Sequence, residues 1–153
     1  MALADQQAAT DSIFTLLKTS WETEVPALDE FDYVPELLWP NVRADKDEIT
    51  GDHEKAWARV SVRALPTTKH TLGSTSNRRF QNRGLLTIQV LTPVAQRGLT
   101  LPHALGKVLL NAFEGSRTPE GVWFRDASFR TVGPGPHYFN SVFTAEFVYD
   151  VTK

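Results

Sequence analysis

The stretch LLTIQVL, residues 85–91, places an apolar residue at every second position. These residues are Leu86, Ile88 and Val90, and alternate side chains of a strand point to the same side. The stretch therefore predicts a half-buried β-strand. A strand with one apolar side needs a second layer packed against that side, so the fold must be built around a covered sheet.

Residues 57–65, WARVSVRAL, alternate in the same way and predict a second strand. Its inward residues are Ala58, Val60, Val62 and Ala64. Residues 66–84, between the two strands, are rich in Thr, Ser, Asn, Gly and Arg. We expect an antiparallel hairpin with a long loop at its tip. A loop of this length without structure of its own is uncommon in a compact domain and tends to be functional.

The C-terminal third predicts two further strands, residues 122–132 and residues 142–151. Gly133-Pro-Gly-Pro136 between them predicts a turn, because two prolines and two glycines fit neither a helix nor a central strand. One face of the last strand is apolar throughout: Phe143, Ala145, Phe147, Tyr149 and Val151.

Two segments have the three- and four-residue spacing of amphipathic helices. The first ends before Pro26, and its apolar face consists of Ala9, Ile13, Leu16, Leu17, Ser20 and Trp21. In the second we expect Thr100 as the N-cap and Gly115 as the C-cap. The apolar face of this second helix consists of Leu101, Leu105, Val108, Leu109 and Ala112.

The order of these elements predicts the fold class. Residues 33–40 contain two prolines, which confine a short strand there to an edge or an end of a sheet. The longer strands come in antiparallel-compatible pairs and do not alternate with helices. We therefore expect a single α+β domain over residues 1–153, with a mostly antiparallel mixed sheet, two helices packed on one of its faces and a long hairpin loop between two central strands.

Composition excludes several classes of protein. With 41% hydrophobic and 22% charged residues, the 153-residue chain fits one globular domain and not a disordered segment. It contains no Cys, which excludes disulfides, thiolate zinc sites, iron–sulfur clusters and cysteine nucleophiles. No uncharged apolar run reaches about 18 residues, so we expect no membrane span, and the N-terminus does not resemble a secretion signal.

Charge is distributed unevenly along the chain. Residues 1–54 have thirteen acids and three bases, and residues 55–113 have nine bases and no acid. Three arrangements fit this distribution. The two blocks lie side by side within one fold, or they meet between neighbouring subunits of a head-to-tail ring. In the third arrangement the basic block faces a polyanion. The subunit-interface candidates are Asp45, Asp47 and Glu48 from the acidic block and Arg59 and Arg63 from the basic block.

No motif for catalysis or for a cofactor is present. The four histidines have no metal-binding spacing, and Asp45, Asp47 and Glu48 supply only a fragment of a calcium loop. The sequence contains no phosphate-binding loop and no nucleophile elbow. We therefore expect no enzyme, no cofactor and no metal.

The predicted hairpin tip is basic. Lys69, Arg78, Arg79 and Arg83 surround Phe80, and arginine beside an aromatic ring suits nucleic acid. The sequence pI of about 6.1 disfavours a nucleic-acid binder, so we favour a loop that becomes ordered on an acidic protein surface.

Several diffuse patterns together resemble a known family. They are Leu38-Trp39-Pro40-Asn41, the strand that begins WARVSV at residue 57, the loop end Asn82-Arg83-Gly84, LLTIQVLTP at 85–93, a turn with Gly98, and RDASFRTVGPGPHYFNSVFTAEFVYD at 125–150. Over residues 10–150 the chain resembles the tail terminator, or tail completion, proteins of long-tailed phages, prophages and gene-transfer particles.

The resemblance implies a hexameric ring that caps the tail tube, ends tail polymerisation and joins the tail to the head. Its partners would be copies of itself, the tube protein and a head-completion or connector protein, with DNA only as cargo through the lumen. The location would be the tail or neck of the virion, assembled in the host cytoplasm. Three alternatives remain open: a neighbouring neck protein, a small nucleic-acid-binding module, and an enzyme with a histidine–carboxylate site.

The resemblance assigns the hairpin tip, through Lys69, Arg78, Arg79, Phe80 and Arg83, to docking on the tail tube. We expect the double reversal Arg78→Glu and Arg79→Glu to prevent normal tail completion, because it places acidic groups in a basic contact. Electron microscopy of particles that contain the variant measures tail length and head joining. Tails of normal length that still join heads would exclude the tip as a docking element.

Overall fold

The computed structural model describes residues 6–40, 55–69, 79–94, 99–135 and 137–152. Its elements in chain order are α1 (Gln6–Glu24), β1 (Glu36–Leu38), β2 (Trp57–Lys69), β3 (Arg79–Pro93), α2 (Thr100–Phe113), β4 (Trp123–Pro134) and β5 (Tyr138–Thr152). Neither described helix is long and apolar enough to cross a membrane.

The strands form one sheet in the order β1-β2-β3-β5-β4. β1 runs parallel to β2, and every other neighbouring pair is antiparallel. The predicted strand at residues 85–91 lies within β3, the central strand. β3 pairs with β5 along its whole length, from Arg79 opposite Thr152 to Pro93 opposite Tyr138. The α+β class with a mostly antiparallel mixed sheet is therefore confirmed.

Both helices pack on the same face of the sheet, as the alternation predicted. On that face, Leu86 and Ile88 of β3 and Phe143 of β5 are fully buried. α1 contributes Ile13, Leu17 and Trp21 to the same core, and α2 contributes Leu105, Leu109 and Phe113. The Phe113 ring lies 4.9 Å from the ring of Phe124 and 5.6 Å from that of Phe143, so it joins α2 to both β4 and β5.

Two side-chain hydrogen bonds fix the segment between α1 and β1. Trp21 Nε1 donates to the carbonyl oxygen of Pro35 at 2.8 Å, and the Ala56 amide donates to Tyr33 Oη at 2.7 Å. β1 has only three residues and lies at the edge of the sheet, which confirms the short edge strand predicted from the prolines.

The predicted long loop at residues 66–84 is wrong in extent. β2 continues to Lys69 and β3 already begins at Arg79. Of the predicted loop, residues 70–78, which include Arg78, lie outside the described residues. Backbone ladder bonds form between polar residues as well as between apolar ones, and Thr67 Oγ1 adds a bond to Asn82 Oδ1 at 2.7 Å. The register shifts between Leu65 and Thr68, and such an irregularity accommodates the proline at position 66.

Four predicted boundaries also change. Gly133 and Pro134 belong to β4, which tolerates a proline because it is the other edge strand, and β5 begins at Tyr138. The N-cap of α2 is Leu99, without a side-chain cap bond, and Thr100 is the first helical residue. The C-cap of α2 is Glu114, and Gly115 follows it with φ 68°, where glycine avoids the strain of a Cβ atom.

Gly84 in the central strand leaves room for the ring of Phe147. A Cβ atom at position 84 would lie 2.1 Å from Phe147 Cζ, and Phe147 is itself only 4% exposed. We expect Gly84→Ala to lower the free energy of unfolding by about 1–3 kcal/mol, because the ring must leave its buried position. Urea denaturation measures the change.

Phe147→Leu provides the matched background for this prediction. If the ring is the obstacle, Gly84→Ala costs much less in the Leu background than in the wild type. An equal cost in both backgrounds would contradict the explanation.

Candidate interaction surface

The face of the sheet opposite the helices is polar in its central rows and rich in arginine. The alternation that sends Leu86 and Ile88 into the core sends the residues between them to this open face. We call it the arginine face; by strand register and exposure its arginines are Arg59, Arg63, Arg83, Arg125 and Arg130, and the exposed Arg117, which bridges to Trp123, lies beside it. The register places three acidic residues on the same face: Glu146, the buried Asp150 and, at the β1 edge, Glu36.

Cross-strand pairing arranges this face in rows that run across β2, β3, β5 and β4. The middle row consists of hydroxyl side chains: Ser61, Thr87, Thr144 and Ser128. Ser128 Oγ and Thr144 Oγ1 are 2.9 Å apart and share a hydrogen bond. Arg59 and Arg130 end the adjacent row on one side, and Arg63 and Arg125 end the adjacent row on the other. The backbone positions of these four arginines therefore form the corners of a rectangle on the face.

Glu146 holds two of the arginines. Its Oε1 lies 2.6 Å from Nη2 of Arg125 and 3.9 Å from Nη1 of Arg83. The hydrogen bond from Arg125 to Glu146 raises the pKa of Arg125, so the guanidinium group stays charged at physiological pH. The Glu146 side chain is 20% exposed and that of Arg83 is 32% exposed, so water screens the attraction between Arg83 and Glu146 less than it screens a fully exposed ion pair.

The other three arginines have no such partner. Within the described ranges, no carboxylate lies within ion-pair distance of Arg59, Arg63 or Arg130, and all three residues are exposed. Arg59 lies over the ring of Trp57, with its guanidinium carbon 5.6 Å from the ring centroid. These three guanidinium groups are the free cations of the arginine face.

An acidic surface lies on the opposite side of the molecule. Residues 22–32, here called the acidic segment, contain five carboxylates and no base. Glu22, Glu24, Asp29 and Asp32 of this segment are exposed. The segment starts in the last turn of α1, and Val25 and Phe31 anchor it in the core on the helix side of the sheet.

The structure brings some of the predicted site residues together and separates others. Arg59, Arg63 and Arg83 share the arginine face, although the sequence assigned the first two to a subunit interface and the third to the tip. Lys69 and Phe80 pair across the hairpin and lie on strands, as does Arg79. The remaining candidates, Asp45, Asp47, Glu48 and Arg78, lie outside the described residues.

Sequence reasoning missed Arg125 and Arg130. These residues are five positions apart, so regular alternation would place them on opposite faces of β4. A bulge between Arg125 and Ser128, where Asp126 has φ 54°, inserts an extra residue and returns both arginines to the same face. The only signal available was the Arg-Asp-Ala-Ser sequence itself, which contains no glycine to mark a bulge.

The described residues form no metal-binding cluster. No group of three His, Asp or Glu side chains among them lies close enough to hold a metal ion. A groove of about 300 Å³ between α1 and β1 is open to solvent; Trp21 and Trp39 line it beside Lys18, Glu22 and Glu36, without a histidine.

Comparisons with known proteins inform the fold alone. No protein-family model and no curated protein matches the chain. Thirteen chains of solved structures are similar to it in fold. One of these has a TM-score of 0.61 and 14% identical residues over 92% of this chain and 94% of that chain, and its name describes no function. This similarity supports the α+β architecture.

We expect Glu146→Gln to lower the free energy of unfolding by about 0.5–1 kcal/mol, because it removes the carboxylate that contacts both Arg125 and the partly buried Arg83. Chemical denaturation at low and high salt measures the loss. The matched control Glu114→Gln, which changes an exposed carboxylate after α2, should have little effect. Equal losses in the two variants would contradict the role of Glu146.

Proposed function

We propose that this chain is a structural protein of the tail terminator type, which assembles into a ring on the tail tube of a long-tailed phage or a related particle. The observation that supports this proposal best is the position of opposite charges on opposite sides of the molecule. The arginine face lies on the open side of the sheet, and the acidic segment lies on the helix side.

Opposite charges on opposite sides favour a head-to-tail contact. A contact of this kind joins one patch of a subunit to a different patch of the next, and it closes into a ring when the rotation between subunits is suitable. Two arginine faces, or two acidic segments, repel each other, so symmetric pairing is disfavoured. The charge distribution thus selects ring-type contacts over a two-fold dimer.

The two edges of the sheet differ in how they admit a further strand. β4 has two register shifts and the edge residue Pro134, and bulges and prolines oppose the addition of a strand. At the other edge, β1 pairs only with residues 57–59 of β2, and no described strand pairs with the outer side of residues 60–69. The β4 edge therefore disfavours a sheet that continues between subunits.

In this proposal the hairpin end, with Lys69, Arg78, Arg79, Phe80 and Arg83, contacts the tube protein. The opposite side of the ring accepts a head-completion or connector protein, and DNA passes through the lumen. The role consists of binding and blocking, so it requires no catalysis, cofactor or metal. The protein acts in the neck of the virion after assembly in the host cytoplasm.

Particles that lack this chain test the role. We expect their tails to be overlong and unjoined, because a terminator stops tube polymerisation and provides the surface for head joining. Electron microscopy measures tail length and the fraction of joined particles. Expression of the wild-type chain should restore both, and so should Lys107→Glu, a change on an exposed residue of α2.

Tails of normal length in these particles would contradict a terminator role. If such tails also stay unjoined, the chain acts as a neighbouring neck protein of the head-completion or connector type.

A further inference from the structure

We propose that the arginine face of one copy binds the acidic segment of the next copy, with Arg59, Arg63 and Arg130 as the side chains that cross the contact. This inference rests on the ring proposed above and assigns its subunit interface. The occupant of the open sheet face is therefore a second copy of this chain.

The first argument is that no described carboxylate neutralises three cations of the arginine face. Glu146 neutralises Arg125 and contacts Arg83, whereas Arg59, Arg63 and Arg130 have no ion pair with any described residue. The three cations lie at different corners of the face, and a surface with several carboxylates would be complementary to them.

The second argument is that the acidic segment lies on the helix side of the sheet. Glu22 and Glu24 are exposed on the last turn of α1, and Val25 and Phe31 hold the segment against the core on that side. Asp29 and Asp32 continue the same acidic surface without an intervening base. The arginine face of one copy and the acidic segment of the next can therefore meet in a head-to-tail contact.

The third argument is the size and composition of the face. Its four paired strands, about 4.8 Å apart, make it about 19 Å wide, and nine residues of β2 at about 3.4 Å each make it about 30 Å long. The plan area is near 600 Å² before the relief of side chains is counted, of the order of the roughly 800 Å² per partner in a stable interface. Leu85 and Val142, both half-buried, provide apolar contact among the polar rows.

Charge reversal tests the proposal on the full chain. The double variant Arg59→Glu with Arg63→Glu should weaken self-association at least about tenfold in sedimentation velocity at low salt, because it places like charges opposite each other. The reversal Glu24→Arg with Asp32→Arg on the other surface should weaken it to a similar degree. The matched control Lys18→Glu with Lys107→Glu makes the same change in net charge on the two helices and should retain self-association.

The decisive measurement mixes the two reversed proteins. Each reversed surface of one variant is complementary to the reversed surface of the other, and the remaining native surfaces are complementary as well. An equimolar mixture should therefore recover assembly in alternating order, and native mass spectrometry should find only even numbers of subunits in closed rings. Circular dichroism checks that each variant is folded.

Several outcomes would overturn the inference. The inference is overturned if the wild-type chain stays monomeric at low salt and high concentration. It is also overturned if the mixture fails to recover assembly while both variants are folded. A third such outcome is that reversal of Arg59 and Arg63 leaves self-association intact and abolishes binding to duplex DNA, because the face would then bind nucleic acid.

The interface and the proposed function fail in different ways. If the Arg59→Glu, Arg63→Glu variant restores normal tails to particles that lack the chain, the interface assignment is wrong and the terminator role stands. If particles that lack the chain have normal tails while the mixed variants still assemble, the interface stands and the role is wrong.

Discussion

The pairing of β3 with β5 along fifteen residues of each strand is the constraint on which the rest of the molecule depends. It joins the N-terminal hairpin to the C-terminal one across a large separation in sequence, and it places Leu86 and Ile88 in line with Ala145 and Phe143. The ring of Phe147 lies over Gly84 in the same pairing and fixes the register, since a slip of one residue would bring a side chain under the ring. With this register fixed, one face is apolar enough to bury two helices and the other remains polar.

The two faces have different physical roles. The helix-covered face stabilises the fold through burial of large apolar side chains such as Trp21, Phe113 and Phe143. The open face has no helix packed on it and includes apolar residues such as Trp57, Leu91 and Trp123 around its polar central rows, and it positions its charges on rigid strands. Side chains on strands keep their spacing better than side chains on loops, so a partner meets a fixed pattern of cations. In the proposed structural role, accurate assembly would rely on such a pattern.

In the proposed ring, segregation of charge would also disfavour wrong self-contacts. The arginine face repels another arginine face, and the acidic segment repels another acidic segment. The two register shifts and Pro134 of β4 oppose growth of the sheet at that edge. Attraction between unlike faces would then set the direction of assembly.

Alternation in residues 57–65, 85–91 and 142–151 and the helical spacing around Ile13 and Leu105 determined the elements, the core and the α+β class from the sequence alone. These patterns are local, because the side of a strand or helix that a residue occupies depends only on its spacing from its neighbours. The exclusion of cysteine chemistry and the opposite charges of the first two blocks were equally plain from composition. The sequence did not reveal that residues 66–69 and 79–84 are strands, because the hydrogen bonds between strands form from the backbone and leave no signal in polar side chains.

Only the tertiary structure decided which charges share a surface. The parity of positions 59, 63 and 83 shows the side of its own strand that each occupies, but strand pairing decides that these sides form one face. The bulge at Asp126 then places both Arg125 and Arg130 on that face, although regular alternation over five positions would place them on opposite faces. A bulge forms where strand twist and packing of the whole sheet favour it, and those are properties of the assembled fold and not of any short segment.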